Sequence, residues 1–164
     1  MSLADKVFAA LNTAGVDYRV VHHPAVYTVA QADQYVKSEE FSRAKNLLLT
    51  NHHHTKYVLL LLAEDKRFDA HQFSQLTGLP RLSFASPERL KEKLGVTPGS
   101  VSPFGLLNDT DHDVQLYIDA DVAQAKKFGA HPNDNTMTVI LRTADLLQLL
   151  KQHGFAAHIV DLAD

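Results

Sequence analysis

The sequence predicts an α/β fold of the mixed, α+β kind: a single domain over residues 1–164, built on a curved mixed β-sheet with flanking helices. Three observations predict it. Capping residues and glycine stops bracket several segments of helical periodicity. Two neighbouring Leu-rich runs, Ala44 to Thr50 and Lys56 to Leu62, read as central strands covered on both faces. Helices and strands follow one another without strict βαβ alternation, which fits a mixed sheet.

Ser2, with Asp5 three residues on, forms a capping-box pattern that opens a helix over Leu3 to Ala14. Its apolar stripe is Leu3, Val7, Ala10 and Leu11, and Gly15 stops it. Tyr18 to His22 is an extended run ended by His23-Pro24. Thr28 and Gln31 repeat the capping pattern and predict a short helix through about Val36. The polar tip Asn51 to Thr55 joins the two Leu-rich strands. Asp69 caps a helix over Ala70 to Thr77, closed by Gly78, and Leu82 to Ala85 is a short strand. Ser86-Pro87 puts a capping serine and a first-turn proline at the start of a helix ending at Leu94-Gly95. Val96 to Gly105, with two glycines and two prolines, is a shaped loop. The turn Asn108 to Asp113 leads into the strand Val114 to Ile118. Phe128 precedes the loop His131 to Asn135, and Thr136 to Leu141 is another strand. Thr143 caps a last helix that ends at His153-Gly154, and Phe155 to Val160 is the final strand.

Composition narrows the function. Hydrophobic residues make up 45% and charged residues 21% of the 164, a balance that supports a packed core. There is no cysteine, which excludes a disulfide scaffold, a thiolate nucleophile and a Cys-ligated zinc. Met1 to Lys6 lacks the basic and apolar regions of a signal peptide, and the longest apolar run, Val58 to Ala63, is far below the ~20 residues of a membrane span. A cytoplasmic protein with no membrane partner is expected. A net charge of −3 argues against DNA or a broad nucleic-acid surface, so any RNA contact is local, made by a few cations around a pocket.

The chain has no G-x-S-x-G elbow, no phosphate-binding glycine loop of the Walker or dinucleotide type, and no H-E-x-x-H. Three features remain. Lys45-Asn46 opens a buried strand, where an ammonium on an apolar stem can hold a phosphate or a carbonyl oxygen at a pocket mouth. Taken alone, the residue fits a lysine snorkelling at a strand end better. Gly99, Ser100, Val101, Ser102 and Pro103, continuing to Phe104-Gly105, form a loop that can aim N–H groups and hydroxyls at an oxyanion or a water. The alternative is a plain surface turn, and neither serine has an obvious base beside it in sequence. His131, in His131-Pro132-Asn133-Asp134-Asn135-Thr136, can donate, accept or shuttle a proton, although these residues also suit a simple turn. His52 and His54 share a face of an extended segment without an identifiable third ligand, so His52 to His54 reads as a solvated tip. His22 and His23 read as strand-end residues.

Taken together, these segments resemble the prolyl-tRNA editing family. That family takes in the editing domain of bacterial prolyl-tRNA synthetases, free-standing PrdX/ProX proteins and YbaK-type deacylases. The resemblance runs from His23-Pro24-Ala25-Val26-Tyr27-Thr28-Val29 through Ala44-Lys45-Asn46-Leu47-Leu48-Leu49, Glu64-Asp65-Lys66-Arg67 and Arg81 to Ser86. It continues through Gly95 to Gly105 and His131 to Thr136. It implies an editing-domain fold and hydrolysis of mischarged alanyl-tRNA(Pro) in trans. The partners implied are the aminoacylated 3′ end of tRNA(Pro) and, further, prolyl-tRNA synthetase. It also implies Lys45, Asn46 and His131 as catalytic or substrate-positioning groups, and Gly99 to Pro103 as the holder of the aminoacyl end and its water. No cofactor or metal is expected.

An aminoacyl ester is already activated, so a placed water and a stabilised oxyanion suffice without a covalent intermediate. Backbone amides of Gly99 to Ser102 would face the carbonyl, and a small pocket would admit alanine while excluding proline by shape. Arg43, Lys45, Lys56, Lys66 and Arg67 are the cations that could meet the acceptor stem, although solvated positions suit most of them better. Three readings compete: a deacylase for serine or cysteine, a non-catalytic module that binds tRNA or an amino-acid derivative, and a metal hydrolase using His52 and His54.

Overall fold

The computed structural model describes residues 2–26 and 41–163, and the helix expected from Thr28 lies outside them. The first helix, α1 (Leu3–Thr13), carries both capping-box bonds: the Ser2 hydroxyl accepts from the Asp5 amide and the Asp5 carboxylate from the Ser2 amide, each at 3.1 Å. Val7 and Leu11, one turn apart, are fully buried against the main core. Asp69 and Ser86 cap α2 (Ala70–Thr77) and α3 (Pro87–Leu94) as expected, and Gly78 and Gly95 close them in the left-handed conformation.

The strands divide between two sheets. β1 (Tyr18–His22) pairs antiparallel with β7 (Met137–Arg142), which pairs antiparallel with β6 (Lys127–Ala130). The larger sheet has the order β4-β2-β3-β5-β8, from β4 (Ser83–Phe84), β2 (Ala44–Thr50), β3 (Tyr57–Ala63), β5 (Val114–Asp119) and β8 (Ala157–Val160). β2 and β4 run antiparallel to their neighbours, whereas β3, β5 and β8 are mutually parallel. The mixed character thus follows the prediction, and the single curved sheet is realised as two. A bridge at Ser42 stitches them together: its amide donates to Lys127 and its carbonyl accepts from Gly129, just before the chain enters β2.

The Leu-rich strands are central, as their composition predicts. Leu59, Leu60 and Leu61 of β3 alternate between two clusters and are wholly buried, each such side chain contributing about 1.5–3 kcal/mol. The same alternation splits β2. Ala44 and Leu48 face the larger cluster, with Phe104, Phe128 and Val139, whereas Leu49, with Leu47 packed beside it, faces the smaller one under α2.

Two elements escape the sequence reading. The short helix α4 (Ala120–Ala123) follows β5 directly, and β6 occupies a stretch read only as the approach to a loop. β6 exists because Gly129 permits it: a Cβ there would lie 2.2 Å from the Phe41 ring. Val96 to Gly105 is the shaped loop expected, and two 3₁₀ turns, Pro98–Ser100 and Pro103–Asn108, give it that shape. One further reading is corrected. Thr143 does not cap the last helix, α5 (Thr143–Gln152); it is the first helical residue, Arg142 stands at the cap, and the Thr143 hydroxyl is buried without a hydrogen-bond partner among the described residues.

A surface histidine pins the far end. His112 stacks on Phe155 at 4.7 Å, and its ring nitrogens face the carbonyls of His153 (2.9 Å) and Thr110 (3.2 Å). Two acceptors favour the doubly protonated ring, so the His153 carbonyl, with that of Thr110 and nearby Asp109 and Asp111, raises its pKa against the opposing effect of desolvation. Because the folded value lies above the unfolded one, its contribution is complete below about pH 6.5 and fades as pH rises through the folded value. The melting temperature of the wild type should therefore exceed that of His112→Gln more at pH 5.5 than at pH 8. A gap that is constant across this range would count against the protonated ring.

Candidate active site

Two loops and the chain that follows β1 come together beside the start of β7. The Ser102 hydroxyl, completely buried, caps the second 3₁₀ turn by accepting from the Phe104 amide at 3.1 Å. It also donates to the side-chain oxygen of Asn133 over a long 3.5 Å, and Asn133 Nδ2 donates to the Phe104 carbonyl at 3.3 Å. Asn133 is buried and left-handed at φ 62°, a conformation that asparagine tolerates better than most residues. The loop of residues 99–105 and the loop of residues 131–136 are thereby one unit. Of the amides predicted to face a substrate carbonyl, that of Ser100 is taken by the Thr97 carbonyl at 2.9 Å.

His131 sits in the second loop, its Nδ1 held by the Met137 carbonyl at 2.9 Å, which leaves Nε2 as the acceptor of the neutral ring. Burial pushes its pKa down. The Met137 carbonyl opposes this, and nearby His23 and Arg43 push the same way as burial. The ring is therefore a neutral hydrogen-bonding group at neutral pH. Asp134 stays ionised, its carboxylate accepting from the Thr136 hydroxyl and amide at 2.6 and 2.9 Å.

His23 is the residue that the sequence reading passed over. It is buried, its ring lies 6.0 Å from that of His131, Nδ1 meets the Pro24 carbonyl at 2.9 Å and Nε2 the Thr138 hydroxyl at 2.9 Å. Its amide donates to Thr136, while Asn135 Nδ2 donates to Val26. The His-Pro pair was a visible signal, but pairing it with a loop more than a hundred residues away needs the fold.

Lys45 and Asn46 leave β2 on opposite faces. Asn46 shares the side of Ala44 and Leu48, and its Oδ1 is buried with no hydrogen-bond partner among the described residues. Lys45, on the side of Leu47, donates its ammonium to the main-chain carbonyl of Lys66, just beyond the end of β3. The predicted site residues thus fall into two sets: Ser102 with the His131 loop, and Lys45 with the turn after β3.

Beside the start of β2 opens a cleft of about 470 Å³, lined by Phe41, Ser42, Arg43, Ala63, Glu64, Asp65, Asp121 and Val122. This is within the range of small-molecule pockets, about 300–1,000 Å³. None of the predicted site residues lines it, but its walls adjoin both sets. Arg43 stands two residues before Lys45 and acts on His131, and Asp65 precedes Lys66. Two expectations for cations change here. Lys66 is 4% exposed and bound to acids, so it is not an acceptor-stem contact, and Arg43 is buried with its guanidinium 5.0 Å from the Phe41 ring. At the tip that joins β2 to β3, His52 and His53 stack edge to face at 5.0 Å, and among the described residues no three His, Cys, Asp or Glu side chains gather as a metal site. Nor is any described helix long and apolar enough to cross a membrane.

The model of the aminoacyl-tRNA editing domain matches residues 23–149. The prolyl-tRNA editing protein ProX of Acetoanaerobium sticklandii is 31% identical over 162 residues, 99% of either chain. The multifunctional Ser/Thr-tRNA deacylase ProXp-y of Escherichia coli K12 is 29% identical over 149 residues, 88% of this chain and 86% of that one. Among solved structures, a candidate trans-editing enzyme for prolyl tRNA synthetase superposes with a TM-score of 0.77 at 26% identity, covering 100% of this chain and 98% of the other.

Proposed function

Because the chain belongs to the aminoacyl-tRNA editing domain family, whose members hydrolyse the aminoacyl ester of tRNA, we propose that it clears alanine from mischarged tRNA(Pro) in trans. The observation that carries this reading is the cleft of about 470 Å³ beside the start of β2, whose wall residue Arg43 stands two residues before Lys45 and acts on His131. In this reading the 3′ end of the tRNA enters the cleft. Lys45 holds a phosphate or the carbonyl oxygen as a point charge, and Asn46 supplies its Oδ1, which has no hydrogen-bond partner among the described residues, to a substrate donor or to the attacking water. His131, neutral and fixed through Nδ1, offers Nε2 to orient the terminal ribose or the water. The segment Gly99 to Pro103 walls the aminoacyl side chain, and its buried Ser102 keeps that wall rigid rather than acting as a nucleophile.

Deacylation of alanyl-tRNA(Pro), with prolyl-, seryl-, threonyl- and cysteinyl-tRNA in parallel, tests the reading. Alanine should be lost fastest, by about tenfold or more over the others, the discrimination that a small pocket derives from modest side-chain differences. Equal loss of serine or threonine would make the chain a broader deacylase, a reading favoured by its likeness to the E. coli Ser/Thr-tRNA deacylase. Binding of tRNA without hydrolysis of any ester would leave a non-catalytic module. Co-purification with prolyl-tRNA synthetase is the corresponding check for that partner.

A further inference from the structure

We propose that Lys66 is a positioning residue for Lys45, acting through a buried ion pair with Asp119; this rests on the reading that Lys45 acts in deacylation. Lys66 closes the turn after β3, its amide donating to the Ala63 carbonyl at 3.0 Å. Its ammonium runs inward, with Asp119 Oδ1 at 3.0 Å, Asp121 Oδ2 at 2.9 Å and the Leu162 carbonyl at 2.7 Å. These three acceptors match the three protons of the ammonium. Desolvation lowers the Lys66 pKa, but the bonds to Asp121 and Asp119 outweigh it and the net direction is upward, so the side chain stays charged.

Asp119 is completely buried and used on both oxygens. Oδ2 accepts from the Ala63 amide at 3.0 Å, while Oδ1 takes Lys66 and the Asp121 amide at 3.2 Å. One carboxylate therefore ties the end of β3, the start of α4 and the Lys66 ammonium together. What this fixes is the main chain of residue 66, whose carbonyl accepts the Lys45 ammonium. A long lysine side chain loses rotamer freedom when it is held, and here that ordering precedes substrate binding. Lys66 touches no reacting atom in this arrangement; its role runs through Lys45.

The test uses the full chain with Lys66→Met, Lys66→Arg, Asp121→Asn, Lys45→Ala and the double variant Lys45→Ala/Lys66→Met. Deacylation of alanyl-tRNA(Pro) gives kcat and KM, and ¹⁵N NMR of the lysine ammonium groups follows the Lys45 signal, assigned by its loss in Lys45→Ala. Lys66→Met should lower kcat by about tenfold or more with KM little changed, the scale on which a misplaced group costs rate. The Lys45 signal should broaden or vanish, Lys66→Arg should restore part of both, and the double variant should be no slower than Lys45→Ala. Unchanged kcat and an unchanged Lys45 signal in folded Lys66→Met would overturn the proposal, as would losses that multiply in the double variant. If Lys66→Met fails to fold, Asp121→Asn carries the same expectations at reduced size, since it removes one of the two carboxylates on the ammonium at a largely exposed position. Full activity in Lys45→Ala would sink the role of Lys45 and this proposal with it. A chain that hydrolyses no ester would sink the function, while the NMR signal alone would then decide whether Lys66 holds Lys45.

Discussion

Lys45→Ala is expected to slow hydrolysis of alanyl-tRNA(Pro) by about 10²–10³-fold, the usual loss when one preorganised group at a developing oxyanion is removed. The ammonium is anchored by the Lys66 carbonyl at the edge of the cleft, so its charge is in place before substrate arrives. Removing it should scarcely alter folding, because the side chain lies on a half-buried position of β2 and takes no part in the core. Single-turnover deacylation together with a thermal melt separates the two effects. A fall in kcat marks a transition-state role; a rise in KM alone would mark a clamp on the ground-state phosphate. Lys45→Arg should recover little, since a planar guanidinium cannot replace a compact point charge bonded to one carbonyl. Activity within about threefold of wild type in Lys45→Ala would remove the residue from the mechanism altogether, because a preorganised oxyanion group costs far more than that.

Asp119→Ala carries the largest expected effect on stability, a loss of about 3–5 kcal/mol, as when one partner of a buried ion pair is removed and the other stays behind. Here the orphan is Lys66, 4% exposed, and the Ala63 amide loses its acceptor as well. Asp121 and the Leu162 carbonyl still hold the ammonium, which places the loss nearer the lower end of the range. Urea unfolding measures it: the midpoint should fall with little change in slope. A shift below about 1 kcal/mol would mean that water enters and solvates Lys66, so that the pair contributes little net energy, as buried pairs sometimes do. The combined substitution Asp119→Ala/Lys66→Met should be less damaging than Asp119→Ala alone, since no buried ammonium is then left with only a largely exposed carboxylate to balance its charge.

Much of the site was legible in sequence, but residue by residue rather than as an arrangement. Lys45 and Asn46 could be placed on a buried strand, yet only the pairing of Lys45 with Leu62 brings its ammonium to the turn at Lys66. His131 could be placed in a loop, whereas its low pKa comes from burial and from His23 and Arg43, which arrive from distant parts of the chain. The family resemblance pointed to Lys66 only as part of a matching segment. Its burial depends on Asp119, more than fifty residues away, and a sequence window offers no sign of that.

What the sequence by itself determined are the features written in local chemistry. The capping box of α1, the capping side chains of α2 and α3 and the glycine stops of all three are of this kind, as are the Leu-rich strands at the centre. These signals act within a few residues, where backbone geometry and hydrophobic periodicity suffice. Tertiary structure alone decided the division into two sheets, the strand character of Lys127–Ala130 and the burial of His23 and Lys66. β6 shows why. Its residues carry no alternation of their own, and they are extended because β7 and Ser42 offer hydrogen bonds on either side and Phe41 fills the space left by Gly129. Such states are set by partners far along the chain, and their energy exists only once the chain has closed around them.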